Sequence, residues 1–302
     1  MTLLLLLLVA GSATGGPEPV ELPELRVEAP AKLAPVAERV RTVDPRRLAT
    51  LLRVLGVERP GPPIEVILAV EGSEAARNTP AWISGYAYGA LGVVVLLPER
   101  APAYPDSSLE ELLLHEIAHV LIARAAAGRT VPRWFNEGLA MFVGRSWDLE
   151  DRSRMTWALL VDVKVPLAEL DLRFEEGRGA IGRAYAFSGA FVRDLFQRYG
   201  SGVAARILDG IALGLPFEEA FLRGTGASLG RAEASFWRRH SFWYRWVPVL
   251  TSSVTLWIGV TLLGLLAIRR RRRKDAELRA RWEEEERFRG RLDEELEDTR
   301  WH

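Results

Sequence analysis

Apolar residues first recur at helical spacing between Pro35 and Leu55, at Val36, Val40, Leu48, Leu51, Leu52 and Leu55. Residues three and four apart share a helix face. The stretch therefore predicts helix broken at Asp44-Pro45, with Pro35 in the first helical position and Gly56 as a C-cap. Residues 64–70, IEVILAV, are a continuous apolar run of strand length. Ala81–Ala87 and Leu91–Leu97 predict a second and a third strand, joined tightly through Gly89-Ala90. Leu112, Leu113, Ile117, Leu121 and Ile122 then surround a helix with apolar side chains nearly all round, which marks it as buried. Ser108 and Glu111 ahead of it have the S-x-x-E form of a capping box. A turn follows over Ala125–Val131, and Pro132 opens a helix running to about Val143. Residues 145–180 are more polar and less regular, with a join at Val165-Pro166-Leu167. Helical periodicity returns over Arg183–Tyr199, Gly202–Leu213, Pro216–Leu222 and Leu229–His240, the last with Phe236 and Trp237 as core anchors.

The two ends follow other rules. Residues 1–16, a leucine block followed by small residues, predict a signal peptide cleaved near Ala13. Residues 17–34, rich in Pro and Glu, predict a linker. Val247–Ile268 holds 22 residues without a charge, about 33 Å as helix and enough to cross a bilayer. Phe242, Trp243, Tyr244 and Trp246 form an aromatic belt on one side, and Arg269–Lys274 a basic run on the other. By the positive-inside rule the C-terminus is then cytoplasmic and the preceding domain extracytoplasmic. Residues 275–302 alternate Glu and Arg around Leu278, Trp282, Leu292 and Leu296. That pattern predicts a charged helix with i,i+4 pairs, open to a cytoplasmic partner. The expected division is signal peptide 1–16, linker 17–34, folded domain 35–245, transmembrane helix 247–268 and cytoplasmic segment 269–302.

Composition changes this picture little. Acidic and basic residues balance at 40 each, so charge selects no partner and nucleic acid is not expected. The absence of cysteine excludes a disulfide framework. Lysine occurs only at Lys32, Lys164 and Lys274, the arginine bias of a GC-rich bacterial genome, so a bacterial cell membrane is the expected location.

The chemistry is concentrated in His115-Glu116-Ile117-Ala118-His119. On a helix, residues four apart point the same way, so two imidazoles can face one metal ion, with Glu116 beside them as a general base. Two of the chain's four histidines make this motif. Glu137 follows after 17 intervening residues, inside Trp134-Phe135-Asn136-Glu137-Gly138. Two histidines and a glutamate leave a fourth position for water, as catalytic Zn²⁺ requires. Two hydrogen-bonded core histidines would leave Glu116 and Glu137 without a role, and burying such groups is costly unless they are paired or metal-bound.

These residues resemble the gluzincins, and within them the peptidase MA-like domains. Their usual form is an "HE..H" helix, a "P-x-W-[aromatic]-x-E-G-x-A" segment and a later "Y-x-x-S" helix ending in "Y-G". Here these are Leu114–Val120, Pro132–Ala140, and Tyr185 to Ser188 running on to Tyr199-Gly200. The resemblance implies an α+β fold, with a small mixed sheet, then the zinc-binding helix, then a mostly helical part, followed here by one transmembrane helix. It implies His115, His119 and Glu137 as zinc ligands, Glu116 as the base, and Tyr185 as a stabiliser of the oxyanion, with Tyr86 and Tyr88 as alternatives. It also makes Gly85–Gly89 the strand that would hold substrate by main-chain pairing. One departure is Met141, where many gluzincins carry an acid that orients a histidine. The partners that orient His115 and His119 are not identifiable from the sequence.

The expectation is a membrane-anchored zinc metallopeptidase acting on a peptide or protein substrate. The alternative is a catalytically inactive protein of the same fold, a membrane-tethered binding or scaffold module. The upstream Glu71-Gly72 matches an aminopeptidase's amine-holding motif only weakly, so the sequence does not choose between endo- and exopeptidase.

Overall fold

In the computed structural model, which describes residues 21–101, 106–145, 165–174, 176–250 and 253–298, four short strands form one mixed sheet. They are β1 (Leu25–Glu28), β2 (Ile64–Leu68), β3 (Gly85–Tyr88) and β4 (Val93–Leu96), in the order β1-β2-β4-β3. β2 is parallel to both β1 and β4, and β3 runs antiparallel to β4 with Tyr86 opposite Val95. On β2 the alternating Ile64, Val66 and Leu68 are buried, as a strand with one face on the core requires. β3 is an edge strand, and no residue of it is fully buried.

β1 corrects the expectation of a linker over 17–34. Only four residues long and lying between Pro23 and Pro30, it has no local pattern strong enough to stand out. Its ladder partner, Ile64–Ile67, lies far along the chain, so the pairing itself is what makes it a strand.

The predicted break at Asp44-Pro45 separates α1 (Ala34–Arg41) from α2 (Pro45–Leu55), where Asp44 accepts from Arg46 N as N-cap. Gly56 ends α2 in the left-handed conformation, φ 71°. A one-turn helix α3 (Glu74–Arg77) lies before β3. Then come α4 (Leu109–Ala125), α5 (Arg133–Gly144) and α6 (Leu167–Arg173), the last in a stretch expected to be irregular. α7 (Arg178–Tyr199), α8 (Val203–Ala212), α9 (Phe217–Thr225) and α10 (Leu229–Leu250) follow. α10 runs ten residues beyond the end expected for it at His240.

α4 is the central element. It packs against β3, β4, α2, α5 and α8, which explains its apolar residues on every face. Burying each such leucine or isoleucine contributes about 1.5–3 kcal/mol. α5 lies between α4 and α7. Close approach to α7 depends on Gly138, where a Cβ would come within 2.6 Å of the Ser188 carbonyl oxygen. At the far side of α7, Asp194 accepts two hydrogen bonds from Arg239 of α10, at 2.6 and 2.7 Å.

The chain divides into two compact units, Met1–Arg239 and His240–His302. The second is built on the long helix α11 (Ser253–Asp298). Among the described residues no helix is long and apolar enough to cross a membrane. The expected span, 247–268, includes residues 251 and 252 and the side chains of 241–256, which lie outside the described residues. Within the described part, Trp257, Leu263, Leu266 and Ile268 stand exposed on α11. The expected signal peptide, 1–16, also lies outside the described residues.

Candidate metal centre

α4 begins as the S-x-x-E pattern predicts, with Ser108 Oγ accepting from Glu111 N at 3.2 Å. On the reaching-back side, Glu111 Oε2 accepts from Ser107 N at 3.0 Å. The helix then carries His115 and His119, to which α5 brings Glu137, with Glu116 beside them toward β3. Both Nε2 atoms meet the same carboxylate oxygen. Glu137 Oε2 lies 3.4 Å from His115 Nε2 and 3.5 Å from His119 Nε2.

The ligand atoms of His115, His119 and Glu137 all lie within 4.8 Å of one another. Glu137 Oε2 is buried and has no hydrogen-bond partner among the described residues. Two imidazole nitrogens and one orphaned carboxylate oxygen converging in this way suit a divalent metal with a site left open. His119 is also correctly turned, because its Nδ1 meets Asn136 Oδ1 at 2.8 Å. An amide oxygen only accepts, so Nδ1 holds the proton and Nε2 presents its lone pair.

The electrostatics follow from burial and crowding of charge. Burial opposes a charge on His115, but Asp106, Glu137 and Glu116 outweigh it and push the imidazole up to about 9. Burial, reinforced by repulsion from Glu137 and Asp106, pushes the Glu116 carboxyl up to about 8. Burial holds His119 below its ordinary value, in the neutral form a metal ligand needs. Burial resists ionisation of Glu137 as well, yet the two histidines hold its carboxyl below the ordinary range.

The centre opens into a cleft of about 440 Å³ whose walls include Gly85, Tyr86, Glu116, Arg133, Glu137 and Tyr185. The edge strand passes very close to the base. A Cβ on Gly85 would lie 3.2 Å from Glu116 Oε1, so glycine lets the β3 backbone run directly over that carboxylate. Tyr185 reaches the cleft from α7, packed edge-on against Phe174 with ring centroids 5.3 Å apart. Burial, then Glu137 and Glu116, push its phenol well above the ordinary value, so it remains a proton donor. Tyr86 also lines the cleft, whereas Tyr88 is 53% exposed on β3 and does not.

Sequence reasoning missed the groups that hold these side chains. Asn136 directly precedes Glu137, and one register step along α5 was the only signal it offered. Asp171 left none. Pro132, the N-cap of α5, has no capping side chain, and Asp171 of α6 caps the helix instead, accepting from Trp134 N at 2.7 Å and Arg133 N at 3.1 Å. A carboxylate at this end also complements the helix dipole. Asp171→Ala is expected to lower unfolding stability by about 1–2 kcal/mol in denaturant titration. A change below about 0.3 kcal/mol would mean that water replaces the cap without loss.

The sequence model of the Peptidase MA superfamily matches residues 52–241, from within α2 to within α10. No curated protein matches the chain.

Proposed function

The chain belongs to the Peptidase MA superfamily, and from that premise we propose that it is a zinc-dependent peptidase. One observation carries the reading. Two imidazoles and a carboxylate converge on one point, with a buried fourth group, Glu116, beside them at the foot of an edge strand.

His115, His119 and Glu137 would hold the zinc ion. When bound, it supplies the Lewis acidity that makes water a nucleophile at neutral pH and polarises the scissile carbonyl. Glu116 accepts the proton of the attacking water and delivers it to the leaving amine. Its burial and the neighbouring Glu137 and Asp106 favour the protonated carboxyl, as a group that must take a proton and hold it for the amine requires. Tyr185 donates its phenolic proton in a hydrogen bond to the oxygen on which negative charge develops. An extended peptide adds to the edge of β3, which lays its backbone across Glu116.

The catalytic unit would face away from the cytoplasm of a bacterial cell, tethered by 247–268. Support comes from the uncharged run, the aromatic and basic flanks, and the exposed apolar side chains of α11. The reading as an inactive binding module drew on the charged C-terminal segment and on Met141, where an orienting acid was expected. Against the second of these, Asn136 orients His119 from one position ahead of Glu137.

The test uses the full chain in detergent. Purified protein is expected to carry about one zinc per chain and to cleave members of a randomised peptide library. Chelation should stop cleavage and zinc should restore it. A zinc-loaded, folded chain that cleaves nothing in the library would leave the binding-module reading in its place.

A further inference from the structure

The two histidines of the centre are steadied unequally. His119 has Asn136 on its outer nitrogen, whereas Nδ1 of His115 is buried and has no hydrogen-bond partner among the described residues. Facing that nitrogen is Asp106 Oδ1 at 3.8 Å, itself buried and likewise without a hydrogen-bond partner among the described residues. Both side chains are only 4% exposed, so bulk water does not serve either atom. A donor and an acceptor left unmatched in the interior are each costly, and here each has the chemistry the other lacks. The gap exceeds hydrogen-bond length by less than one ångström, and contacts of this kind often tighten only when a site is filled.

We propose that Asp106 is the positioning residue of His115. Its carboxylate accepts the Nδ1 proton, which fixes the tautomer whose Nε2 lone pair faces Glu137 and the metal. The inference rests on the metal-centre reading above and adds an assignment to it. The position of Asp106 supports the role. It lies just ahead of α4, on a segment held by Ser107, whose amide and hydroxyl both donate to Glu111 Oε2. α5 also comes so close to His115 that a Cβ on Gly144 would lie 2.9 Å from its backbone nitrogen. His115 thus has little freedom except rotation of its ring, which is the freedom a carboxylate at Nδ1 removes. The remaining charged groups that act on Asp106 are Arg145, which favours its ionised form, and Glu111 and Glu137, which oppose it. Asp106 does not touch the reacting atoms. It does the work expected of an acid after Glu137, but from the segment that precedes the zinc helix.

Zinc affinity of the full chain, measured by competition with a chromophoric chelator, tests the assignment, alongside the visible spectrum of the cobalt-loaded protein. Asp106→Ala is expected to weaken zinc binding roughly 10–100-fold and to change the cobalt spectrum. Asp106→Asn keeps an oxygen that accepts from Nδ1 and should retain most of the affinity. Asn also removes the charge near Arg145, so a role confined to that charge would weaken both variants alike. Should the Ala protein not fold, Asp106→Leu, similar in shape to Asn but without an acceptor, takes its place and should bind zinc about tenfold more weakly than Asn. Parent-like affinity in a folded variant without an acceptor overturns the proposal, and so does equal weakening in Asn and Ala. A parent chain that binds no zinc would instead refute the metal centre, and this assignment with it.

Discussion

Glu116→Gln is expected to retain zinc and lose peptide cleavage by at least roughly 10²–10⁴-fold. Glutamine reproduces the shape of the side chain, which matters where glutamate is 4% exposed and lies against β3 at Gly85. It cannot take a proton from water. Zinc content and cleavage measured on one preparation separate the two roles, and retained turnover would remove Glu116 from the mechanism. The same variant carries a stability signature. A carboxyl raised from 4.5 to about 8 on folding binds its proton more tightly in the folded state, so it costs stability as pH rises through that interval. The metal-free Gln protein should therefore gain stability over its parent as pH rises from 5 to 8. Stability given up at a reacting carboxylate is a common feature of active sites.

Glu137→Ala is expected to abolish stoichiometric zinc, weakening binding by more than the roughly 10–100-fold that loss of an orienting partner costs. Both Nε2 atoms meet its Oε2, at 3.4 and 3.5 Å. The backbone of α5 should survive the change, since Asp171 caps that helix and Gly138 seats it on α7. Zinc content after exhaustive dialysis, with circular dichroism as the control for folding, gives the answer. A folded Ala variant that still holds one zinc would mean that the third ligand is another residue.

Much of this site is legible in the sequence. Four-residue spacing places His115 and His119 on one helix face, and apolar residues around them make that helix central. Val36 to Leu55, interrupted at Asp44-Pro45, became two helices because proline and its capping aspartate act locally. β1 was not legible, since Leu25 and Val27 become a strand only through a partner some forty residues away. α6 was also missed, a seven-residue helix whose first amide is held by Glu233 at 3.0 Å, from α10.

The sequence by itself determined which atoms are able to bind a metal and which carboxylate stands next to them, because helical periodicity is a property of neighbours along the chain. It likewise determined that α4 must be buried. Only the tertiary structure decided what surrounds these side chains: Asn136 on His119, Asp171 on the start of α5, Asp106 facing His115, and the edge of β3 over Glu116. Each of these is a contact between separate elements, formed by packing and by the need to satisfy buried polar groups. Such contacts impose no period on the chain, so the arrangement has to be folded before it can be seen.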